Sequence, residues 1–209
     1  MTDPAASDPA VLDLAGVGHS AVDDSAVDNS AGDGFPFGGS PLDVRAADLT
    51  AVAGQLGRTP RGVSAIAHRC PCGWPDVVRT EPRLPDGTPF PTLYYATCPR
   101  LTAAVSTLEN EGLMRDMEQR LRSDGALAAA YRRAHEAYLA RRDELGSVAE
   151  IAGTSAGGMP ERVKCLHVLV AHALAEGPGV NPLGDEVLDR LTPWWPPAGS
   201  GCADAKVTT

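Results

Sequence analysis

Val63-Ser64-Ala65-Ile66-Ala67-His68-Arg69-Cys70-Pro71-Cys72-Gly73-Trp74-Pro75-Asp76-Val77-Val78-Arg79-Thr80 is the stretch that decides the fold. Val63 to His68 and Asp76 to Thr80 are short and rich in valine, isoleucine and alanine, and Cys70-Pro71-Cys72-Gly73 is a corner between them. That pattern predicts two short strands joined by a turn. Leu93 to Thr97 predicts a third strand. Between the last two, Leu84-Pro85-Asp86-Gly87-Thr88 has turn chemistry, because proline presets φ and glycine accepts the left-handed region. The prolines of residues 82–91 confine these pieces to edge or irregular strands. A small antiparallel sheet is the expected result.

Past Pro99 the period changes. Proline suits a first helical turn, and Leu101, Val105 and Leu108 recur at i, i+4 and i+7 up to Gly112. Leu113, Met117 and Leu121 mark a second helix running to Ser123. After Asp124-Gly125 a longer one places Leu127, Tyr131, Ala134 and Tyr138 on one side. Arg132, Arg133, Arg141 and Arg142 read as its solvated face. Upstream, Leu49, Val52 and Leu56 predict a short helix over 44–56, stopped by Gly57. Residues 147–159 form a Gly/Ser-rich loop that includes a short strand candidate, Val148 to Ala152. Pro160 is then expected to open an apolar helix reaching Glu176. Val163, Leu166, Val170 and Leu174 form one of its stripes and Cys165, Leu169 and His172 another, which makes it central to the core. Asp185 to Leu191 predicts a last helix before Pro193-Trp194-Trp195-Pro196-Pro197. The fold class is α+β: a small antiparallel sheet packed by several helices.

Charge divides the 209-residue chain. Residues 1–50 carry nine aspartates and one arginine, out of 27 acidic and 18 basic side chains in all. Nearly the whole net charge of −9 therefore sits in the arm, and the body is close to neutral. So little apolar matter cannot repay the arm's ordering entropy. Residues 1–42 are read as a disordered acidic arm, 43–195 as a single globular domain and 196–209, with Cys202, as a flexible tail. A neutral body with an acidic arm offers no footprint for nucleic acid. No apolar run of membrane-spanning length occurs, and the N-terminus lacks a basic region followed by an apolar core. A cytoplasmic location is expected, in which cysteines stay reduced and are available for metal.

Soft sulfur ligands at turns suit zinc or an iron–sulfur cluster. Cys70 and Cys72 stand at the corner, Cys98 at the end of the third strand, and Cys165 on the expected core helix. If the strand ends meet, they form a four-thiolate set. On a helix starting at Pro160, His167 points about 200° away from Cys165 at 100° per residue, and His172 lies roughly 10 Å along from it. Cys165 is then the better ligand of the three. The competing view is that reduced buried cysteines act as small hydrophobes in a non-catalytic adaptor. Such an adaptor would meet a protein partner through an apolar patch such as Trp194-Trp195.

A second pattern is Gly153-Thr154-Ser155-Ala156-Gly157, the G-x-S-x-G arrangement that holds a nucleophilic serine on a strand-to-helix turn. It resembles the elbow of patatin-like lipases over a handful of residues, without that family's upstream glycine-rich loop. The plain reading of this loop is a structural turn, and catalysis at Ser155 is the weaker of its two functional readings. In the other, Ser155, Gly157 and Gly158, with Arg162 in the first turns of a helix, offer N–H groups and positive charge to an anion.

Several motifs together resemble one bacterial family. They are Arg69-Cys70-Pro71-Cys72-Gly73; Pro89-Phe90-Pro91-Thr92-Leu93-Tyr94-Tyr95 with Thr97-Cys98-Pro99; Gly157-Gly158-Met159-Pro160 with Val163-Lys164-Cys165-Leu166-His167; and Asn181-Pro182-Leu183-Gly184. The family is the uncharacterised domain of unknown function 501, and the similarity covers residues 48–191. It implies domain limits but no activity. Members carry other residues at the position of Cys72, so the resemblance implies Cys70, Cys98 and Cys165 as the firmer ligands, with His167 or His172.

Overall fold

The computed structural model describes residues 44–195, so the acidic arm of 1–42 and the tail of 196–209 with Cys202 lie outside the described residues. Val63 to Thr80 folds as an antiparallel hairpin of β1 (Val63–Arg69) and β2 (Pro75–Thr80). β3 (Tyr94–Ala96) adds antiparallel to β2, giving the order β1-β2-β3. The turn at 84–88 forms as its residues demand, with the Leu84 N–H donating to the Thr88 carbonyl at 2.9 Å.

β2 is the middle strand, and its alternation separates two cores. Val77 joins Tyr94 and Ala96 in the large cluster beneath the helices. Val78 and Ile66 face the other way, against Val52 of α1 (Ala46–Leu56). A period of two can cover both faces only if something packs on each. On one face that is α1. On the other, α5 (Leu166–Glu176) lies against all three strands.

The remaining helices are α2 (Pro99–Asn110), α3 (Leu113–Ser123), α4 (Gly125–Asp143) and α6 (Pro182–Arg190). Asp124 caps α4 by accepting the N–H groups of Ala126 and Leu127 at 2.9 and 3.0 Å. Leu101 and Val105 of α2, Leu113 and Met117 of α3, and Tyr131, Ala134 and Tyr138 of α4 are buried at the predicted spacing. α5 buries residues on nearly every side, including Leu166, Leu169, Val170 and His172, as expected of a central helix. Each fully buried leucine contributes about 2 kcal/mol.

Four expectations are corrected. Val148 to Ala152 is not a strand; Ala149–Ile151 makes a single 3-10 turn. The core helix begins at Leu166 instead of Pro160. Residues 157–165 are tied back on themselves, with Lys164 N–H to the Gly157 carbonyl at 2.8 Å and Arg162 N–H to the Gly158 carbonyl at 2.9 Å. Gly158 has φ 92°, and a Cβ there would meet the Arg162 carbonyl oxygen at 2.8 Å, so that reversal needs glycine. α6 starts earlier than Asp185, because Asn181 caps it through Gly184 N–H at 3.0 Å and Pro182 fits its first turn. Finally, Arg142 is not on a solvated face: it is 1% exposed, and its guanidinium serves the carbonyls of Ile151 and Thr154.

Candidate metal centre

Cys165 is the N-cap residue of α5, in extended conformation with φ −159° and ψ 116°. Since it precedes the helix, the 100° rule does not separate it from His167. The Cys165 Sγ lies 3.7 Å from the His167 Nδ1. The third member comes from α2, where Thr102, Ser106 and Glu109 recur at i, i+4 and i+7 beside the buried Leu101 and Val105. Glu109 Oε1 is 3.2 Å from His167 Nδ1 and accepts the Leu166 N–H at 2.7 Å. Among the described residues, Glu109, Cys165 and His167 are the one group of three or more metal-type ligands whose donor atoms all lie within 4.8 Å of each other.

The other face of the imidazole is also held. His167 Nε2 is 3.1 Å from the Thr102 carbonyl, which can only accept, and 3.4 Å from Ser106 Oγ. The Nε2 proton is thereby assigned, and in the neutral ring Nδ1 presents its lone pair to the Cys165–Glu109 side. Bond lengths of about 2.1 Å for Zn–N and Zn–O and about 2.3 Å for Zn–S give tetrahedral N···O edges of about 3.3 Å and N···S edges of about 3.6 Å. The observed 3.2 and 3.7 Å fit that frame. With the ring protonated, the same atoms make an imidazolium between two anions. Its hydrogen bond to Cys165 is the main reason His167 rises to about 9. Burial opposes a Cys165 thiolate, but His167 and the Val168 N–H outweigh it and lower the thiol below its ordinary range.

The other sequence-identified ligands lie elsewhere. Cys70 and Cys72 are joined as a disulfide, with Cα atoms 5.3 Å apart. Cys98 is a free thiol, 1% exposed, at the N-cap of α2. No three of the four cysteines form such a ligand group among the described residues. His172 is enclosed within α5 and bonds Asn181. Sequence reasoning missed Glu109. Its signal was the polar stripe Thr102-Ser106-Glu109 alongside an apolar one.

Ser155 sits in the loop after the 3-10 turn, not on a strand-to-helix elbow. Its Oγ is 2.9 Å from His135 Nδ1 and 3.3 Å from the Met159 carbonyl, to which it can donate. Among the described residues no carboxylate is hydrogen-bonded to His135, and burial lowers that histidine's pKa. The Gly157 and Gly158 carbonyls close the turn described above. Arg162 is exposed, 3.9 Å from Glu118. The first N–H of α5 is occupied by Glu109.

No helix among the described residues is long and apolar enough to cross a membrane. No curated protein and no solved structure matches the chain. A family profile does match residues 66–189, more than half the chain and including β2, β3, Glu109, Cys165 and His167. By that match the chain belongs to the family described as protein of unknown function, DUF501.

Proposed function

We propose that the protein binds zinc through Glu109, Cys165 and His167, with a fourth position open to water. The observation that supports this best is the orientation of His167: its Nε2 is committed to the Thr102 carbonyl, and its Nδ1 faces a sulfur and a carboxylate at tetrahedral edge distances. A carbonyl behind a ligating imidazole is the usual way its tautomer is fixed. The mixed S, N, O set favours zinc over an iron–sulfur cluster, which takes mainly thiolates. Three protein ligands and partial exposure match the open type of zinc site, where the ion polarises a bound oxygen. Glu109 would orient that centre through its second bond to α5, and α5 would hold Cys165 at its N-terminus. The reading is of a cytoplasmic zinc protein.

The test is purification of the full chain without chelators, elemental analysis, and cobalt(II) titration followed by visible absorption. About one equivalent of zinc, and a cobalt spectrum with a thiolate charge-transfer band, are expected. Cys165→Ala should remove that band, and Glu109→Gln should weaken binding while keeping it. Metal-free protein whose cobalt spectrum is unchanged by Cys165→Ala would overturn the proposal, leaving an imidazolium–thiolate pair.

A further inference from the structure

Cys70-Pro71-Cys72-Gly73 links β1 to β2, and the link is already closed without sulfur. Cys70 N–H donates to the Trp74 carbonyl at 3.0 Å and Gly73 N–H to the Cys70 carbonyl at 2.8 Å. Gly73 takes φ 86°, as a tight corner requires. A disulfide between residues two apart adds little to such a turn. Its loop-closure contribution is about half that of a fifteen-residue loop. Stapling the fold is therefore a poor account of this bond.

The two sulfurs are not equivalent. Cys70 is 3% exposed, whereas Cys72 is half-buried, so an incoming group reaches Cys72 first. The Cys72 N–H lies 3.3 Å from Cys70 Sγ, and an N–H donor stabilises a thiolate released there. The same hairpin holds a buried acid. Asp76 is fully buried, its Oδ1 is 2.7 Å from His68 Nδ1, and among the described residues its Oδ2 has no hydrogen-bond partner. The His68 side chain is 30% exposed, so it connects that carboxylate to solvent. An unsatisfied buried carboxylate oxygen costs stability and calls for a role. Asp76 stands in β2, four residues after Cys72 in the same hairpin.

We propose that Cys70 and Cys72 are a redox-active pair that exchanges electrons with thiols. A partner thiolate attacks Cys72 Sγ, forming a mixed disulfide and releasing Cys70 as thiolate. A second thiolate then attacks the partner's sulfur in that mixed disulfide. The partner thiols leave joined as a disulfide, and Cys72 is released. Two electrons pass from the two partner thiols to the Cys70–Cys72 bond, and the two protons those thiols give up are available to the released sulfurs. The reverse sequence oxidises the dithiol. This activity uses none of the zinc ligands.

The full-length protein is equilibrated in glutathione redox buffers or treated with dithiothreitol, then trapped by alkylation and read by mass. Reversible two-electron interconversion of Cys70 and Cys72 is expected in the glutathione buffers, and reduction of the same pair by dithiothreitol. Cys70→Ser should accumulate the glutathione adduct at Cys72, at least about tenfold faster than Cys72→Ser does at Cys70, because reachability sets the rate. Circular dichroism checks that both variants fold. Reduced protein that never reoxidises in excess oxidised glutathione, or equal adduct rates in the two folded variants, would overturn the proposal. Zinc content on the same samples reports separately on Cys165.

Discussion

His172 shows how one side chain couples burial to pH. Asn181 Oδ1 accepts the Gly184 N–H, so its amide nitrogen faces His172 Nδ1, at 3.2 Å, and donates to it. The ring proton is then on Nε2, which has no hydrogen-bond partner among the described residues and sits among aromatic rings: Tyr138 edge-on at 5.1 Å and Tyr94 stacked at 5.9 Å. Burial lowers His172 to about 4 from 6.5, against a smaller upward pull from Glu176. Below the ordinary histidine pKa the unfolded chain binds a proton that the folded chain refuses. Stability should therefore be full above pH 6.5 and fall by about 3 kcal/mol as pH drops to about 4, then level for this group. Urea unfolding at a series of pH values checks the slope, and His172→Phe should flatten it in that window. A histidine at this position reads from sequence as ligand or core with equal ease. Only the Asn181 contact and the surrounding rings decide for core.

At the scale of elements, α5 and α6 depend on a missing side chain. A Cβ on Gly184 would lie 2.3 Å from the Leu169 carbonyl oxygen and 2.9 Å from Ala173 Cβ. The helices cross at that point, and backbone cannot yield as a flexible side chain can. Gly184→Ala is expected to cost about 1–3 kcal/mol through overpacking, despite alanine's better helix propensity. A lower denaturation midpoint with an unchanged m value would show it. Helices whose stripe and stop signals lie side by side, such as α2, α3 and α4, were legible in the sequence. The start of α5 was not. Val163 and Leu166 continue its apolar stripe backwards, but Val163 is buried from a turn outside the helix. Periodicity reports burial, and burial outside a helix imitates it. That misplacement also hid the candidate centre, since it set Cys165 and His167 on opposite sides of a helix that Cys165 does not enter.

For the whole molecule, Arg142 binds distant segments together. Its guanidinium donates to the carbonyls of Ile151 at 2.8 Å, Thr154 at 2.5 Å and Pro91 at 3.4 Å. α4, the loop of the G-x-S-x-G pentapeptide and the approach to β3 thus share one buried cation. Arg142→Met should destabilise the protein by about 3 kcal/mol, because it takes the guanidinium donor from the Thr154 and Pro91 carbonyls and leaves Ile151 only the Thr154 N–H at 3.0 Å. Thermal unfolding measures it, with Arg133→Met as an exposed control expected to be near neutral. By itself the sequence determined the α+β class, the hairpin about Cys70-Pro71-Cys72-Gly73, the middle helices and the separation of acidic from neutral chain. These follow from local period, turn chemistry and charge, which neighbouring residues carry. Tertiary structure alone decided that Glu109 meets Cys165 and His167, that Cys98 stands apart, and that an arginine among four belongs inside. Each depends on which face of one helix meets the end of another, and no local pattern encodes that distance.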